Sequence, residues 1–212
     1  MPEQEADLGS GQGYEEVLAP NHYYDRNFEI DAAKILPGEY YTTGRNMLLV
    51  TVLGSCVSAC IRDRISGIGG LNHFMLPDAG QDQGNPLGAS ARYGAYAMEM
   101  LINQLLKLGA KRANLEAKVF GGGNVLRGFT VAKVGERNAR FALDYLHTEQ
   151  IRVVAQDLMD IYPRKVYFFP QTGKVLVRKL RQVHNDTIIE REQAYSSRLR
   201  YSKMEGDVEL FD

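Results

Sequence analysis

Met47-Leu48-Leu49-Val50-Thr51-Val52-Leu53-Gly54-Ser55-Cys56-Val57 is a run of apolar and β-branched side chains that breaks at Gly-Ser and leaves a cysteine at the break. A short apolar run bounded by a turn signal reads as a buried β-strand. Gly54-Ser55 ends that strand and sets Cys56 at a turn. Val57 to Arg62 resumes as a second strand, and Asp63 to Gly67 turns the chain again. Ile68 to Leu76 reads as a third strand that carries His73 and is closed by Pro77. The centre of the fold is therefore a sheet, and its class depends on what flanks it.

Upstream, residues 1 to 30 carry acids and Gly9, Gly11 and Gly13 with little periodicity, which reads as a mobile acidic N-terminal extension. Order is expected from about Ala33, with a short strand to Leu36 before the Pro37-Gly38 turn. Downstream, residues 78 to 90 are rich in Asp, Gly, Gln, Asn, Pro and Ser and read as a flexible loop, a candidate lid over the site. Ala91 to Leu108 is the clearest helix, with Met98, Leu101, Ile102, Leu105 and Leu108 on one face, Ser90 as N-cap and Gly109 as C-cap. Leu115 to Phe120 reads as a strand cut by Gly121-Gly122-Gly123, Asn138 to His147 as a second helix, and Ile151 to Ala155 as a strand. Lys165 to Phe169 and Lys174 to Arg178 flank Pro170-Gln171-Thr172-Gly173, a hairpin signature. Beyond Leu180 the chain is highly charged, with a surface helix expected over Thr187 to Tyr201 and an acidic end. The pattern predicts an α/β (α+β) layered sandwich, with mixed β-sheets and two main helices packed on them. A single domain is expected over residues 31–180, with a charged, partly helical C-terminal tail over 181–212.

The bulk numbers are those of a globular chain. Of 212 residues, 44% are hydrophobic and 24% charged, and the formal net charge is -1. That balance supplies no overall basic field for nucleic acid or anionic lipid. No stretch approaches the ~20 apolar residues of a membrane span, and the acidic N-terminus does not read as a secretory signal. Two cysteines, Cys56 and Cys60, are too few and too close for a disulfide framework, so the cytoplasm is the expected compartment.

Cys56 at a turn and His73 on a neighbouring strand are the minimum kit for thiolate attack on a carboxamide. A buried cysteine is often only core, but the Gly-Ser turn frees the backbone to present a thiol. The backbone NH groups of Ser55 and Val57 are candidate oxyanion donors. A strand rather than a helix follows Cys56, so activation must come mainly from a histidine. Thr51, five residues before Cys56, is either an ordinary strand residue or the third member that orients the imidazole. Cys60 reads as core. Cys56, Cys60 and His73 would count as three zinc ligands, but the spacing matches no standard finger. His22 lies in the expected mobile region, while His147 and His184 read as surface groups. The triple glycine lacks the Lys-Ser/Thr of a phosphate loop and reads as a tight turn near the site. Arg62, Arg64, Arg164 and Lys165 are surface candidates for contact with an acidic partner.

Six stretches then carry a family resemblance: Thr51 to Val57, Leu71-Asn72-His73-Phe74-Met75-Leu76-Pro77, Arg92-Tyr93-Gly94, Ala117 to Gly122, Val134-Gly135-Glu136-Arg137-Asn138, and Pro163-Arg164-Lys165-Val166 with Thr172-Gly173. In this order, over about residues 35 to 180, the chain resembles the chemoreceptor glutamine deamidase family (CheD) of bacterial chemotaxis. The first 30 residues and the tail beyond about 181 lie outside that resemblance. It implies a layered fold similar to the deamidase toxins and hydrolysis of selected receptor glutamines to glutamate with loss of ammonia. By motif, Cys56 is then the nucleophile, His73 the general base and acid, and Thr51 the supporting threonine. It implies no metal and no organic cofactor. The implied partners are the cytoplasmic helices of methyl-accepting chemoreceptors and a chemotaxis phosphatase, with no nucleic acid and no membrane insertion. Two other readings stay open: a module that docks on receptors or the phosphatase without turnover, and a Cys-His amidase or protease with a different substrate.

Overall fold

The structure, a computed structural model, describes residues 17–19, 21–77, 88–125, 134–181 and 186–201. In chain order they form β1 (Val17–Leu18), β2 (Asn21–Asp25), β3 (Ile30–Ile35), β4 (Glu39–Thr43), β5 (Leu48–Leu53), β6 (Val57–Asp63), β7 (Gly69–His73) and α1 (Ala89–Lys107). A 3-10 turn at Arg112–Asn114 precedes β8 (Leu115–Gly121), α2 (Val134–Thr148), β9 (Arg152–Leu158), β10 (Arg164–Phe169), β11 (Lys174–Lys179) and α3 (Asp186–Tyr201).

The strands divide into two mixed sheets. A six-stranded sheet runs β1-β4-β7-β6-β8-β9 and a five-stranded sheet runs β11-β10-β5-β3-β2. Helix α1 packs on β4 and β7, and α2 on β6, β8 and β9, so both cover the six-stranded sheet. The other sheet meets it where β3 touches β4 and β7 and where β5 touches β7. The result is the α+β layered sandwich expected from the strand and helix order.

Period-two alternation along β5 explains its burial on both faces. Leu49 and Leu53 enter the main core with Leu71, Met98 and Leu101, while Leu48 and Val50 face a smaller cluster with Ala32, Ile30, Tyr167 and Phe169. Truncating any one of the main-core leucines to Ala costs about 2–5 kcal/mol where the site cannot collapse.

The strands over 48–53, 57–63, 115–121 and the 164–179 hairpin match the sequence expectations within a few residues. Several features differ. Order begins before residue 31: β2 and β3 form an antiparallel hairpin, and Asp25 Oδ1 accepts from the amides of Asn27 (3.0 Å) and Phe28 (3.3 Å) at its turn. β2 is largely exposed and carries no apolar alternation, so pairing with β3 rather than local pattern makes it a strand. β4 has no counterpart among the sequence expectations; it pairs with β1 and β7. Gly88, not Ser90, is the N-cap of α1, and the Ser90 hydroxyl instead donates to Pro77 O at 3.0 Å. α2 begins at Val134, four residues before the expected start. Most of the proposed 78–90 lid, residues 78–87, lies outside the described residues, as do His184 and the acidic end.

Candidate active site

The chain crosses from one sheet to the other at Gly54-Ser55-Cys56, between β5 and β6. Three neighbours hold that crossing. The amides of Gly122 and Gly123 donate to Cys56 O (2.8 Å) and Gly54 O (2.7 Å). Gly121 has φ +110, and a Cβ on it would stand 2.2 Å from Cys56 O, so only glycine permits this approach. Asn138 of α2 donates from Nδ2 to Ser55 O (2.9 Å) and accepts at Oδ1 from the Leu76 amide (3.0 Å). The triple glycine is thus the tight turn beside the site that its sequence suggested.

His73 ends β7. Beyond it Phe74 pairs with Val57, the Val57 amide donating to Phe74 O at 2.9 Å and the Phe74 amide to Val57 O at 3.0 Å. In that antiparallel register His73 falls opposite Ser58, which has the same parity as Cys56. The two side chains therefore sit diagonally on one face, close enough for reactive groups to meet. Asn72 fixes the strand pair from behind, accepting from the Ala59 amide (3.0 Å) and donating to Ala97 O of α1 (3.0 Å).

Thr51 reaches His73 across the sheet–sheet junction. Its Oγ1 donates to Ile35 O at 2.8 Å and lies 2.8 Å from His73 Nδ1. A carbonyl only accepts, so the one hydroxyl proton is committed to Ile35 and Oγ1 must accept from Nδ1–H. The network thereby assigns the tautomer, leaving Nε2 as the basic nitrogen. Nε2 has no hydrogen-bond partner among the described residues.

The third occupant has no counterpart among the sequence expectations. Glu192 of α3 is 2% exposed, and its carboxylate accepts from the amides of Gly54 (2.8 Å), Ser55 (2.8 Å) and Cys56 (3.1 Å) and from the Ser55 hydroxyl (2.6 Å). Cys56, His73 and Glu192 each bring one reactive atom within 4.8 Å of the others. Of the two backbone donors expected from sequence, Ser55 belongs to this anion-binding set. Val57 does not, because its amide is bonded to Phe74 O; Gly54 and Cys56 take that role. Cys60 stays apart as buried core, its thiol pushed up to about 12 by burial. The zinc triple that included it does not assemble.

Electrostatics follow from enclosure. Burial, then the charge and hydrogen bonding of Glu192, hold the Cys56 thiol well above its ordinary value. Burial lowers His73 to about 4, against the opposing pull of Glu192, so the imidazole is neutral at pH 7, and with Glu192 in place both shifts keep the proton on the Cys56 sulfur.

The expected acidic-partner surface is partly spent inside the molecule. Arg164 is fully buried, pairs with Asp157 at 2.5 Å and also donates to Met159 O. Arg62 pairs with Glu116 at 2.9 Å. Glu192 and Asn138 are the site residues that the sequence reading passed over. A signal for the first existed: Glu192, Tyr195 and Leu199 recur at helical spacing on one face, and all three are buried.

The family model described as CheD chemotactic sensory transduction matches residues 75–179, a span that begins just after His73. A protein of Thiobacillus denitrificans named probable chemoreceptor glutamine deamidase CheD is 71% identical, covering 93% of this chain and 98% of its own. Its counterpart in Herminiimonas arsenicoxydans, with the same name, is 67% identical over 92% and 97%. A match of 197 residues in 212 includes position 192 whichever end is trimmed, so the likeness extends beyond residue 181 and takes in much of α3. Among solved structures, the Bacillus licheniformis hypothetical protein YfiH aligns at a TM-score of 0.35 and 12% identity, covering 57% of this chain and 51% of that one. On the strength of its close, nearly full-length relatives, the chain belongs to the chemoreceptor glutamine deamidase (CheD) family.

Proposed function

We propose that this protein is a cysteine-dependent protein-glutamine deamidase. It converts selected glutamines on the cytoplasmic helices of methyl-accepting chemoreceptors to glutamate with release of ammonia, and works in the cytoplasm. The names of its relatives support the substrate and reaction class. The observation that carries the chemistry is the oriented His73, its Nε2 unpartnered and its ring within 4.8 Å of Cys56, next to a turn whose amides converge on an anion.

In this reading Cys56, His73 and Thr51 are the catalytic set. Nε2 takes the thiol proton, and Sγ attacks the carboxamide carbon. The oxyanion settles into the amides of Gly54, Ser55 and Cys56. Protonated His73 then gives its proton to departing ammonia, leaving a thioester. Water, deprotonated by the again neutral His73, cleaves it to glutamate and free thiol. Thr51 holds Nδ1–H throughout. The sequence needs no metal and no organic cofactor, and each turnover adds one negative charge to the receptor. Cys56→Ala and His73→Ala are expected to abolish ammonia release from receptor fragments while the circular dichroism spectrum is unchanged; retained release in either variant contradicts the assignment.

The full burial of the Cys56 thiol favours a second reading, a module that docks on receptors or on a chemotaxis phosphatase without turnover. A tight complex with unaltered receptor mass would support it.

A further inference from the structure

A thiol that acts on protein glutamines must be reachable, yet Cys56 is 0% exposed. Glu192 stands within 4.8 Å of the thiol sulfur, held by three amides and a hydroxyl. Among the described residues no cation pairs with it; hydrogen-bond donors alone satisfy its charge. A two-methylene side chain ending in a carboxylate is also what glutamine becomes when it is deamidated. The fit is close at the turn itself: a Cβ on Gly54 would lie 2.8 and 2.9 Å from the Glu192 oxygens.

The carrier of that side chain is a helix docked along one face. Tyr195 and Leu199, three and seven residues beyond Glu192, are 5% and 6% exposed. The Tyr195 ring packs on Gly38, where φ is +82 and a Cβ would come within 2.9 Å, and its hydroxyl meets that of Tyr93. The seat thus has a polar socket at its floor and an apolar shelf one to two turns along.

We infer that the groove filled by α3 is the seat of the substrate helix, and that α3 is a built-in product mimic whose Glu192 carboxylate occupies the place of the newly formed glutamate. The inference rests on the deamidase reading above. A substrate helix enters with glutamine in the socket and apolar side chains three and seven residues on, and α3 must leave first. The attachment suits such exchange. Glu192, Tyr195 and Leu199 are the buried side chains of α3 among those described, and an element fastened by so few groups opens locally at low free energy.

The test uses the full chain. In Glu192→Gln the helix presents a carboxamide to Cys56 in cis. The Sγ–C bond forms as the C–N bond breaks and ammonia leaves with the His73 proton. Water then cleaves the C–S bond, so one water enters, one ammonia leaves and residue 192 gains about one mass unit. Peptide mass spectrometry is expected to find glutamate at position 192 in this variant, and glutamine there when Cys56→Ala is added. In Glu192→Ala, iodoacetamide should modify Cys56 at least about tenfold faster than in the wild type, and receptor fragments should be deamidated faster. Unchanged alkylation and receptor turnover in Glu192→Ala would overturn the closed seat while leaving the deamidase reading intact. Faster alkylation of Glu192→Ala, with the glutamine of Glu192→Gln never converted, would overturn the product mimicry. Faster alkylation with no receptor deamidation by any form would instead sink the deamidase reading.

Discussion

Thr51 decides which nitrogen of His73 can work. With its proton committed to Ile35 O, it accepts from Nδ1–H and leaves Nε2 as the basic nitrogen of a ring that stands within 4.8 Å of the thiol. Thr51→Val keeps the shape and removes the acceptor. It is expected to lower kcat about a hundredfold, the low end of what a positioned acid–base group contributes, with KM little changed. A rise in KM with kcat unchanged would assign Thr51 to substrate binding and not to the acid–base step. The same histidine sets an acid limit. Burial lowers it from 6.5 to about 4, so the folded state disfavours its proton and the unfolded chain takes it up first as pH falls. Its contribution to stability is present above pH 6.5 and is lost between 6.5 and about 4. Thermal melts over that range should show a steeper fall for the wild type than for His73→Gln; parallel curves would contradict the shift. The Cys-His pair was legible in the sequence because both residues interrupt apolar runs. Glu192 was not, since one acid in a charged stretch resembles every other until a helix face is traced.

At the scale of elements, the site depends on the crossing between sheets. Asn138 is its clamp, joining Ser55 O of the nucleophile turn to the Leu76 amide just past β7. Asn138→Ala would strand two buried backbone groups, at about 1–3 kcal/mol for each group left unpaired. Urea denaturation should report that loss together with a fall in activity; full activity at wild-type stability would show that α2 only covers the site. Strand β5 and the hairpin of β10 and β11 were readable because apolar runs and a turn bounded by Pro and Gly are local signals. β2 and β4 owe their form to neighbours, β2 to β3 and β4 to β1 and β7, which no local pattern announces. The sequence reads α3 as a surface helix; docking along one face makes it part of the site instead.

Across the whole molecule, two mixed sheets and a covering pair of helices bring Thr51 from one sheet, His73 from the other and Cys56 from the segment that joins them to a single point. The layered class followed from the order of elements. The division into two sheets did not, because β5 and β6 look like hairpin partners in sequence yet belong to different sheets. That division makes the Gly54–Cys56 turn a junction, backed by Gly121 to Gly123, rather than a hairpin tip. The most direct measurement is the intact and peptide mass of a chemoreceptor cytoplasmic fragment after incubation with this protein and, in parallel, with Cys56→Ala. A gain of about one mass unit at specific glutamines with the wild type and none with the variant is the predicted result, as amide-to-acid exchange through a cysteine requires. An unchanged receptor mass with both, despite binding, would contradict the account.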